Sequence, residues 1–381
     1  MSAAGQAQLG VPREVDALVL AELGHRFTAC AVRVERAGAL PWQAAWGNLG
    51  EEGALAASEA SVFDLASLTK LYVATACLAL AGRGVLHLDG PVRQIVPQFS
   101  GGPRDLVTIR HLLTHTSGLP AHLPLYRTCH GPLEILEAIY TAGLQARPGA
   151  QVTYSCLGFI LLGECLRRVS GAPLDRVVAE LVAGPLGVAD EARYRPPPEW
   201  AQRIAPTELC AWRGRRLHGE VHDENAAAMG GVSGNAGLFG TARAVAALGR
   251  LYLHGGQADG HEIVRPDLAD QAVRQQAAGQ GERRGLGWQL KNLDAPHTSA
   301  GRLLAPASFG HTGFTGTSLW VDPTRGLVVA VLTNRVYYWR VVTDLLAFRG
   351  ALHDAVARAH DHSTRPELLD RPRSGGMESI G

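Results

Sequence analysis

The sequence lacks a strong charge of either sign. Its 381 residues include 36 basic and 35 acidic side chains, which gives a net charge of +1 at pH 7. The basic residues are spread along the chain and form no dense patch. Because nucleic acids and acidic membranes attract proteins through concentrated positive charge, we expect neither as a partner. The apolar share of 46% is high enough for a folded core.

Long apolar runs are also missing. No stretch reaches about 18 consecutive apolar residues, the length that crosses a membrane as a helix. Residues 1–12 lack the basic and apolar segments that mark a secretory signal. None of the six cysteines forms a Cys-x-x-Cys pair. We therefore expect a cytoplasmic protein with reduced thiols, or a periplasmic or extracellular one if the true start site lies further upstream.

Lysine is scarce, because only Lys70 and Lys291 stand among the 36 basic residues. Arginine is effectively never deprotonated in proteins, whereas a buried lysine can lose its proton and act as a base. Lys70 is thus a candidate for chemistry that arginine cannot perform. The alternative is that this lysine has been retained by chance.

The apolar pattern predicts strands near both ends of the chain and helices between them. The clearest strands are predicted at 28–34, 42–47, 317–321 and 327–332. A helix from Ser67 to Ala81 is apolar on nearly every face, as expected of a core helix. A long amphipathic helix is predicted from Trp339 to Arg358.

This layout indicates an α/β protein of two domains. The first domain is formed by residues 1–84 and 230–360, and a mostly helical domain of residues 85–229 is inserted into it. Residues 361–381 are polar and are predicted to be a disordered tail. The cleft between two such domains is a natural position for a ligand site.

Ser67 and Lys70 lie three residues apart at the start of the predicted core helix, so their side chains share one face. A serine hydroxyl is a poor nucleophile unless a neighbouring base takes its proton. A desolvated lysine has a lowered pKa and can serve as that base. The spacing therefore predicts that Ser67 is a nucleophile and that Lys70 activates it.

Four motifs follow one another in a fixed order. They are Ser67-Leu68-Thr69-Lys70, then residues 112–119 with the sequence LLTHTSGL, then Tyr154-Ser155, then His311-Thr312-Gly313. In this order the chain resembles the serine β-lactamase and penicillin-binding protein superfamily over about residues 20–350. The resemblance is strongest to the class C β-lactamases, their D,D-peptidase relatives and related esterases. It implies a β-lactamase-like fold: an antiparallel sheet flanked by helices, with an inserted all-helical domain.

The resemblance also implies roles for individual residues. Tyr154 would help to activate Ser67 and to protonate the leaving group. The N–H groups of Ser67 and Phe314 would form the oxyanion hole. His311, Thr312 and Gly313 would bind the substrate, and His122 is a further candidate for lining the cleft.

Two positions depart from the family pattern. Cys156 stands where an asparagine usually positions the substrate, and a thiol cannot replace an amide. His311 stands where a lysine usually binds the substrate carboxylate, and a neutral imidazole is a weak anion clamp. Both changes favour a carboxylesterase-like activity.

The predicted function is the hydrolysis of an ester or amide through an acyl-enzyme on Ser67. A β-lactamase or D,D-carboxypeptidase activity is the alternative within the same class. An alternative of another class is a sensor or binding protein that is acylated and never released. The expected partner is a small-molecule substrate, and the sequence does not predict an oligomeric state.

Fifteen histidines raise the possibility of a metal site. The pairs His111 with His115 and His218 with His222 are each four residues apart, but neither has the glutamate of a His-Glu-x-x-His motif. We expect no metal and no cofactor.

Overall fold

The computed structural model describes residues 13–50, 55–279, 282–295, 297–338, 340 and 345–364. The α-helices of this part of the chain are α1 (Arg13–Glu22), α2 (Thr69–Gly82), α3 (Ile109–Leu113), α4 (Pro132–Thr141), α5 (Cys156–Ser170), α6 (Leu174–Val178), α7 (Glu224–Ala228), α8 (Ala242–Leu253), α9 (Pro266–Val273) and α10 (Leu346–Thr364). None of these described helices is both long enough and apolar enough to cross a membrane.

The strands are mostly short. They are β1 (Ala29–Arg36), β2 (Trp42–Gly47), β3 (Phe63–Asp64), β4 (Ala192–Tyr194), β5 (Leu209–Cys210), β6 (Arg215–Arg216), β7 (Leu238–Gly240), β8 (Gln257–Ala258), β9 (His261–Glu262), β10 (Ala277–Gly279), β11 (Glu282–Arg284), β12 (Gln289–Leu290), β13 (Phe309–Thr312), β14 (Ser318–Asp322) and β15 (Leu327–Thr333).

Eight strands form one antiparallel sheet in the order β10-β11-β12-β13-β14-β15-β1-β2. β1 therefore lies beside β15, so the sheet joins strands from both ends of the described chain. Val32 of β1 pairs with Val331 of β15, which fixes the register at the centre of the sheet. This confirms the predicted antiparallel sheet with flanking helices.

Successive side chains of a strand point to opposite faces of the sheet. Both faces of this sheet carry apolar side chains and are covered by other parts of the core. On one face, Val32 and Val34 pack with residues of α1 and α10, among them Val19 and Leu352. The other face carries Ala31 and packs with the larger core that includes α2 and α8. Layers of helices thus cover the sheet on both sides.

Helix α2 is the core helix that the sequence predicts. Its buried residues run from Thr69 to Leu80 without a break, because almost every position is apolar. The helix is predicted to begin at Ser67, but residues 66–68 form one 3₁₀ turn and α2 begins at Thr69. The helix enters the interior directly behind the position of the predicted nucleophile.

Residues 85–229 contain helices α3 to α7 and also the short strands β4, β5 and β6. This segment is mostly helical but not entirely so. Strand β4 pairs with β7, which in turn pairs with β3, so the segment shares a three-stranded sheet with residues on either side of it. The proposed division into domains stays a prediction.

The end of the described chain differs from the sequence prediction. Helix α10 covers residues 346–364, so residues 361–364, which the sequence places in a disordered tail, are helical. The reason is an anchor on the last turn, where both carboxylate oxygens of Asp361 accept hydrogen bonds from Arg325 at 2.8 and 2.9 Å. Residues 365–381, Trp339 and residues 341–344 lie outside the described residues.

Candidate active site

Ser67 lies in a strained turn between β3 and α2. Ala66 has a φ of 46°, a left-handed conformation that is uncommon for a residue with a side chain. The buried carboxylate of Asp64 accepts a hydrogen bond from the Ala66 N–H at 2.8 Å and one from the His222 N–H at 2.6 Å. These contacts hold the turn that presents Ser67 to the cleft.

Lys70 is fully buried and lies one helical turn below Ser67. Its ammonium donates to Ser67 Oγ at 2.9 Å and to the backbone carbonyl of Asn235 at 3.0 Å. Cys156 Sγ lies 3.8 Å from Lys70 Nζ, and the centre of the Tyr154 ring lies 4.9 Å from it. The structure therefore brings the two predicted residues into direct contact.

The expectation that Lys70 has a lowered pKa is wrong in sign. Burial is the largest single influence and it lowers the pKa of Lys70. The negative charge that Cys156 and Tyr154 carry when ionised, together with the contact to Tyr154, outweighs burial and raises the pKa above its ordinary value. Lys70 therefore keeps its proton and stands beside Ser67 as an ammonium.

Tyr154 is surrounded by two histidine rings and two cationic side chains. Its ring centre lies 4.6 Å from that of His115, 5.8 Å from that of His311 and 5.2 Å from the guanidinium carbon of Arg284. The charged neighbours of Tyr154 are Lys70 and Arg284, because burial holds the pKa of His115 and that of His311 well below the usual range.

The turn that carries Tyr154 is fixed by its neighbours. Ser155 caps α5 by accepting from the Gly158 N–H at 3.1 Å, and its own N–H donates to His115 Nδ1 at 3.1 Å. His115 therefore holds Tyr154 in place through both the backbone and the ring contact. In the sequence His115 is part of the LLTHTSGL motif and a candidate metal ligand, and its contact with Tyr154 is not apparent there.

His311 lines the cleft and has one unprotonated ring nitrogen. Its Nδ1 lies 2.8 Å from the carbonyl of Thr312, which can only accept, so Nδ1 carries the proton. Burial, the charge of Arg284 and the charge of Lys70 hold the pKa of His311 well below its usual range, so the ring is neutral. Nε2 is a bare acceptor, buried and without a hydrogen-bond partner among the described residues.

The end of strand β13 lies directly against the Ser67 turn. A side-chain carbon at Gly313 would stand 2.0 Å from Thr317 Oγ1 and 2.7 Å from the carbonyl of Leu65. Only glycine permits this approach, which brings the next residue, Phe314, toward Ser67. The Phe314 N–H makes no hydrogen bond with another described residue, as expected of an oxyanion donor.

These groups line one cleft of about 630 Å³. The predicted site residues on its wall are Ser67, His122, Tyr154, Cys156, His311, Thr312, Gly313 and Phe314. Lys70 lies beneath the wall and reaches Ser67 from the interior. All positions assigned to the site from the sequence therefore converge on one place.

The histidines considered as metal ligands have local roles. The His111 side chain accepts from the Thr108 N–H at 3.2 Å in the cap of α3, and His218 Nε2 lies 3.1 Å from the carbonyl of Ile204. Within the described ranges, no group of three histidine, cysteine or carboxylate side chains is arranged to hold a metal ion.

The sequence matches the family described as Beta-lactamase over residues 15–350. The chain belongs to this family. A relative from Escherichia coli (strain K12), provisionally named a D-alanyl-D-alanine carboxypeptidase, is 31% identical over 322 residues, which cover 76% of this chain and 72% of that protein.

Solved structures share the β-lactamase-like fold. A class C β-lactamase from Rhodobacter sphaeroides superposes with a TM-score of 0.74 at 18% identity, covering 91% of this chain and 99% of that one. EstCE1, described as a hydrolase with promiscuous acyltransferase activity, has a TM-score of 0.72 at 22% identity, covering 91% and 98%. The β-lactamase-family fold expected from the motifs is confirmed.

Two groups of this β-lactamase-family site were missed from the sequence. The carbonyl of Asn235 holds Lys70, and a backbone group leaves no signal in a residue pattern. Arg284 lines the cleft, and its Nε and Nη2 bind Glu282 at 3.0 and 2.7 Å. Its Nη1 is buried and has no hydrogen-bond partner in the part of the chain that the structure describes.

Proposed function

We propose that this protein is a serine hydrolase that cleaves an acyl bond through a covalent intermediate on Ser67. The observation that carries the proposal is the contact of 2.9 Å between Ser67 Oγ and the fully buried Lys70 Nζ at the base of the cleft. A buried ammonium in contact with a cleft-lining hydroxyl favours the negative charge that the hydroxyl gains when it attacks. Membership of the β-lactamase family supports the same chemistry.

Because Lys70 keeps its proton, the proton of Ser67 has to pass to another group. Tyr154 in its phenolate form is the assigned acceptor, since it lies beside Lys70 and lines the same cleft. Ser67 Oγ bonds to the substrate carbonyl carbon, and the leaving group departs with the proton returned from Tyr154. Water then attacks the acyl-enzyme, gives its proton to Tyr154 and releases the acid, while Ser67 regains its proton.

The negative charge on the carbonyl oxygen is assigned to two backbone donors. The N–H of Ser67 lies at the first turn before α2, and the N–H of Phe314 follows the close approach at Gly313. A pre-positioned donor of this kind contributes about 3 to 4 kcal/mol to catalysis.

For the substrate we propose a compound with a carboxylate close to the scissile bond. Arg284 lines the cleft, and its buried Nη1 lacks a hydrogen-bond partner among the described residues, so a substrate carboxylate that reached Nη1 would satisfy it. The name of the Escherichia coli relative, a D-alanyl-D-alanine carboxypeptidase, is consistent with such a substrate.

Hydrolysis of neutral carboxylic esters is the second candidate, and it is the one that the sequence favours. The bare Nε2 of His311 repels a carboxylate that approaches it closely. Cys156 also lacks the amide that would position a peptide substrate. A panel of a D-Ala-D-Ala peptide, nitrocefin and p-nitrophenyl acetate separates the two candidates by their kcat/KM values.

The nucleophile is tested by covalent labelling with a fluorophosphonate. Ser67→Ala should lose the label, whereas the matched control Ser170→Ala should keep it, because Ser170 lies at the far end of α5 and bonds to its own helix. Full labelling of Ser67→Ala would exclude Ser67 as the nucleophile. Many turnovers of p-nitrophenyl acetate per molecule would exclude the sensor alternative, and one turnover would support it.

The cytoplasmic location and the absence of nucleic-acid and membrane partners stay predictions from the sequence. The oligomeric state is not part of the proposal.

A further inference from the structure

The peptide bond between Gly313 and Phe314 has one end in the cleft and the other against helix α10. No described peptide bond is cis, and in a trans peptide the C=O and the N–H point in opposite directions. Arg349 of α10 donates through Nη2 to the carbonyl of Gly313 at 3.1 Å. The N–H on the opposite side of that peptide belongs to Phe314, the proposed oxyanion donor.

The same nitrogen of Arg349 also donates to the carbonyl of Thr317 at 2.9 Å. The carbonyl of Thr317 in turn accepts from the Gly313 N–H at 2.7 Å. One buried guanidinium therefore connects both ends of the 313–317 loop. Hydrogen bonds to charged groups are stronger than those between neutral groups, so Arg349 attaches the loop firmly to α10.

Two further side chains hold the same loop. Arg335 donates to the carbonyl of Phe314 at 2.7 Å, and Thr333 donates to the carbonyl of Gly316 at 3.1 Å. The carbonyls of residues 313, 314, 316 and 317 are therefore all held by protein side chains, and Arg335 and Arg349 line the cleft themselves. The Phe314 N–H makes no hydrogen bond with another described residue.

We propose that Arg349 is a positioning residue for the oxyanion hole. Its contact with Gly313 sets the plane of the 313–314 peptide and directs the Phe314 N–H toward the substrate. The positive charge at the carbonyl end also polarises the peptide, because hydrogen bonds in a chain strengthen one another. This inference rests on the proposed function, since it concerns the oxyanion that forms during acyl transfer on Ser67.

The test compares Arg349→Met with the unaltered full-length protein through the binding of phenylboronic acid. This compound adds to a serine hydroxyl as a tetrahedral anion, so its affinity reports on the oxyanion hole. We expect binding to weaken by about 10- to 100-fold and kcat for p-nitrophenyl acetate to fall by a similar factor, with KM nearly unchanged.

The matched control is Arg358→Met on the same helix, because Arg358 pairs with Glu14 and lies outside the cleft. We expect its boronate affinity and kcat to equal those of the unaltered protein. Arg349→Lys provides a second variant if Arg349→Met does not fold. Lysine keeps a positive charge near the Gly313 carbonyl but reaches less far than Nη2 of arginine, so we expect a smaller loss of boronate affinity in the same direction.

Boronate affinity equal to that of the unaltered protein in the folded Arg349 variants would overturn the positioning role. A loss of thermal stability with unchanged boronate affinity would overturn it as well, because a purely structural arginine would behave in that way. Failure of the proposed function looks different. In that case Ser67→Ala would bind phenylboronic acid as well as the unaltered protein does, and both proposals would fall.

Discussion

Replacing Arg284 with methionine should change the substrate preference more than the catalytic rate. Methionine keeps much of the length and apolar volume of the side chain but removes the guanidinium. The Nη1 donor is buried and has no hydrogen-bond partner among the described residues, so a bound carboxylate would be its partner. The pair formed by Arg284 and Glu282 would be lost as well, but Glu282 retains solvent contact, with 37% of its side chain exposed.

The expected magnitude follows from the strength of a charged hydrogen bond. Such a bond contributes about 1.5 to 3 kcal/mol. Since 1.4 kcal/mol corresponds to about a factor of ten, the loss should be about 10- to 150-fold in kcat/KM for a substrate with the carboxylate. A neutral substrate makes no such bond, so its kcat/KM should fall only through the loss of positive charge beside Tyr154, which affects both substrates alike.

The assay uses N-acetyl-D-alanyl-D-lactate and the same compound with its terminal carboxylate methylated. A loss of active enzyme lowers both kcat/KM values by the same factor, so the ratio of the two values does not change with it. Arg283→Met is the matched control, because Arg283 is the neighbouring residue of β11 and binds Gln275 and the carbonyl of Lys291 instead of facing the cleft. An unchanged ratio in Arg284→Met would refute the assigned carboxylate contact and favour the ester hydrolase.

Three further predictions follow from the site and the core. Tyr154→Phe should reduce the acylation rate in stopped flow by about 10²- to 10⁴-fold, because the proton acceptor is lost, and a rate near that of the unaltered protein would assign the proton elsewhere. Gly313→Ala should lower the free energy of unfolding in urea by about 1–3 kcal/mol, because its methyl group would stand 2.0 Å from Thr317 Oγ1; unchanged stability would contradict this close approach. Burial lowers the pKa of His353 from 6.5 to about 4. Between these two pH values His353 is protonated in the unfolded chain and neutral in the folded protein. Stability should therefore fall by about 3 kcal/mol as the pH drops from 6.5 to 4. His353→Gln should flatten this decline in urea titrations, and an equally steep decline would contradict the assignment.

The fold could be predicted because its signals are local and repeated. The helix after Ser67 is apolar on nearly every face, which indicates that it is completely buried. The pattern of apolar residues near both ends of the chain indicates strands of one sheet. The contact between Ser67 and Lys70 follows from three-residue spacing alone. Helix α10 runs past the boundary predicted at residue 360, and the ion pair between Arg325 and Asp361 that anchors its last turn joins residues far apart in the sequence.

Features of the site that depend on residues far apart in the sequence could not be predicted from it. The sign of the Lys70 pKa shift is set by Tyr154 and Cys156, which lie about eighty residues away along the chain and oppose the effect of burial. Arg284 could not be distinguished within an arginine-rich chain, because only the fold turns it into the cleft. The contact of Arg349 with a backbone carbonyl leaves no pattern in the sequence.

The central claim is that Ser67 receives the acyl group, and it is tested most directly by trapping the intermediate. The protein is mixed with p-nitrophenyl acetate, quenched in acid during turnover, digested and analysed by mass spectrometry. The account predicts one acetyl group on the peptide that carries Ser67, and none in Ser67→Ala. An acetyl group on the Cys156 peptide instead, or turnover with no acylated peptide, would contradict it.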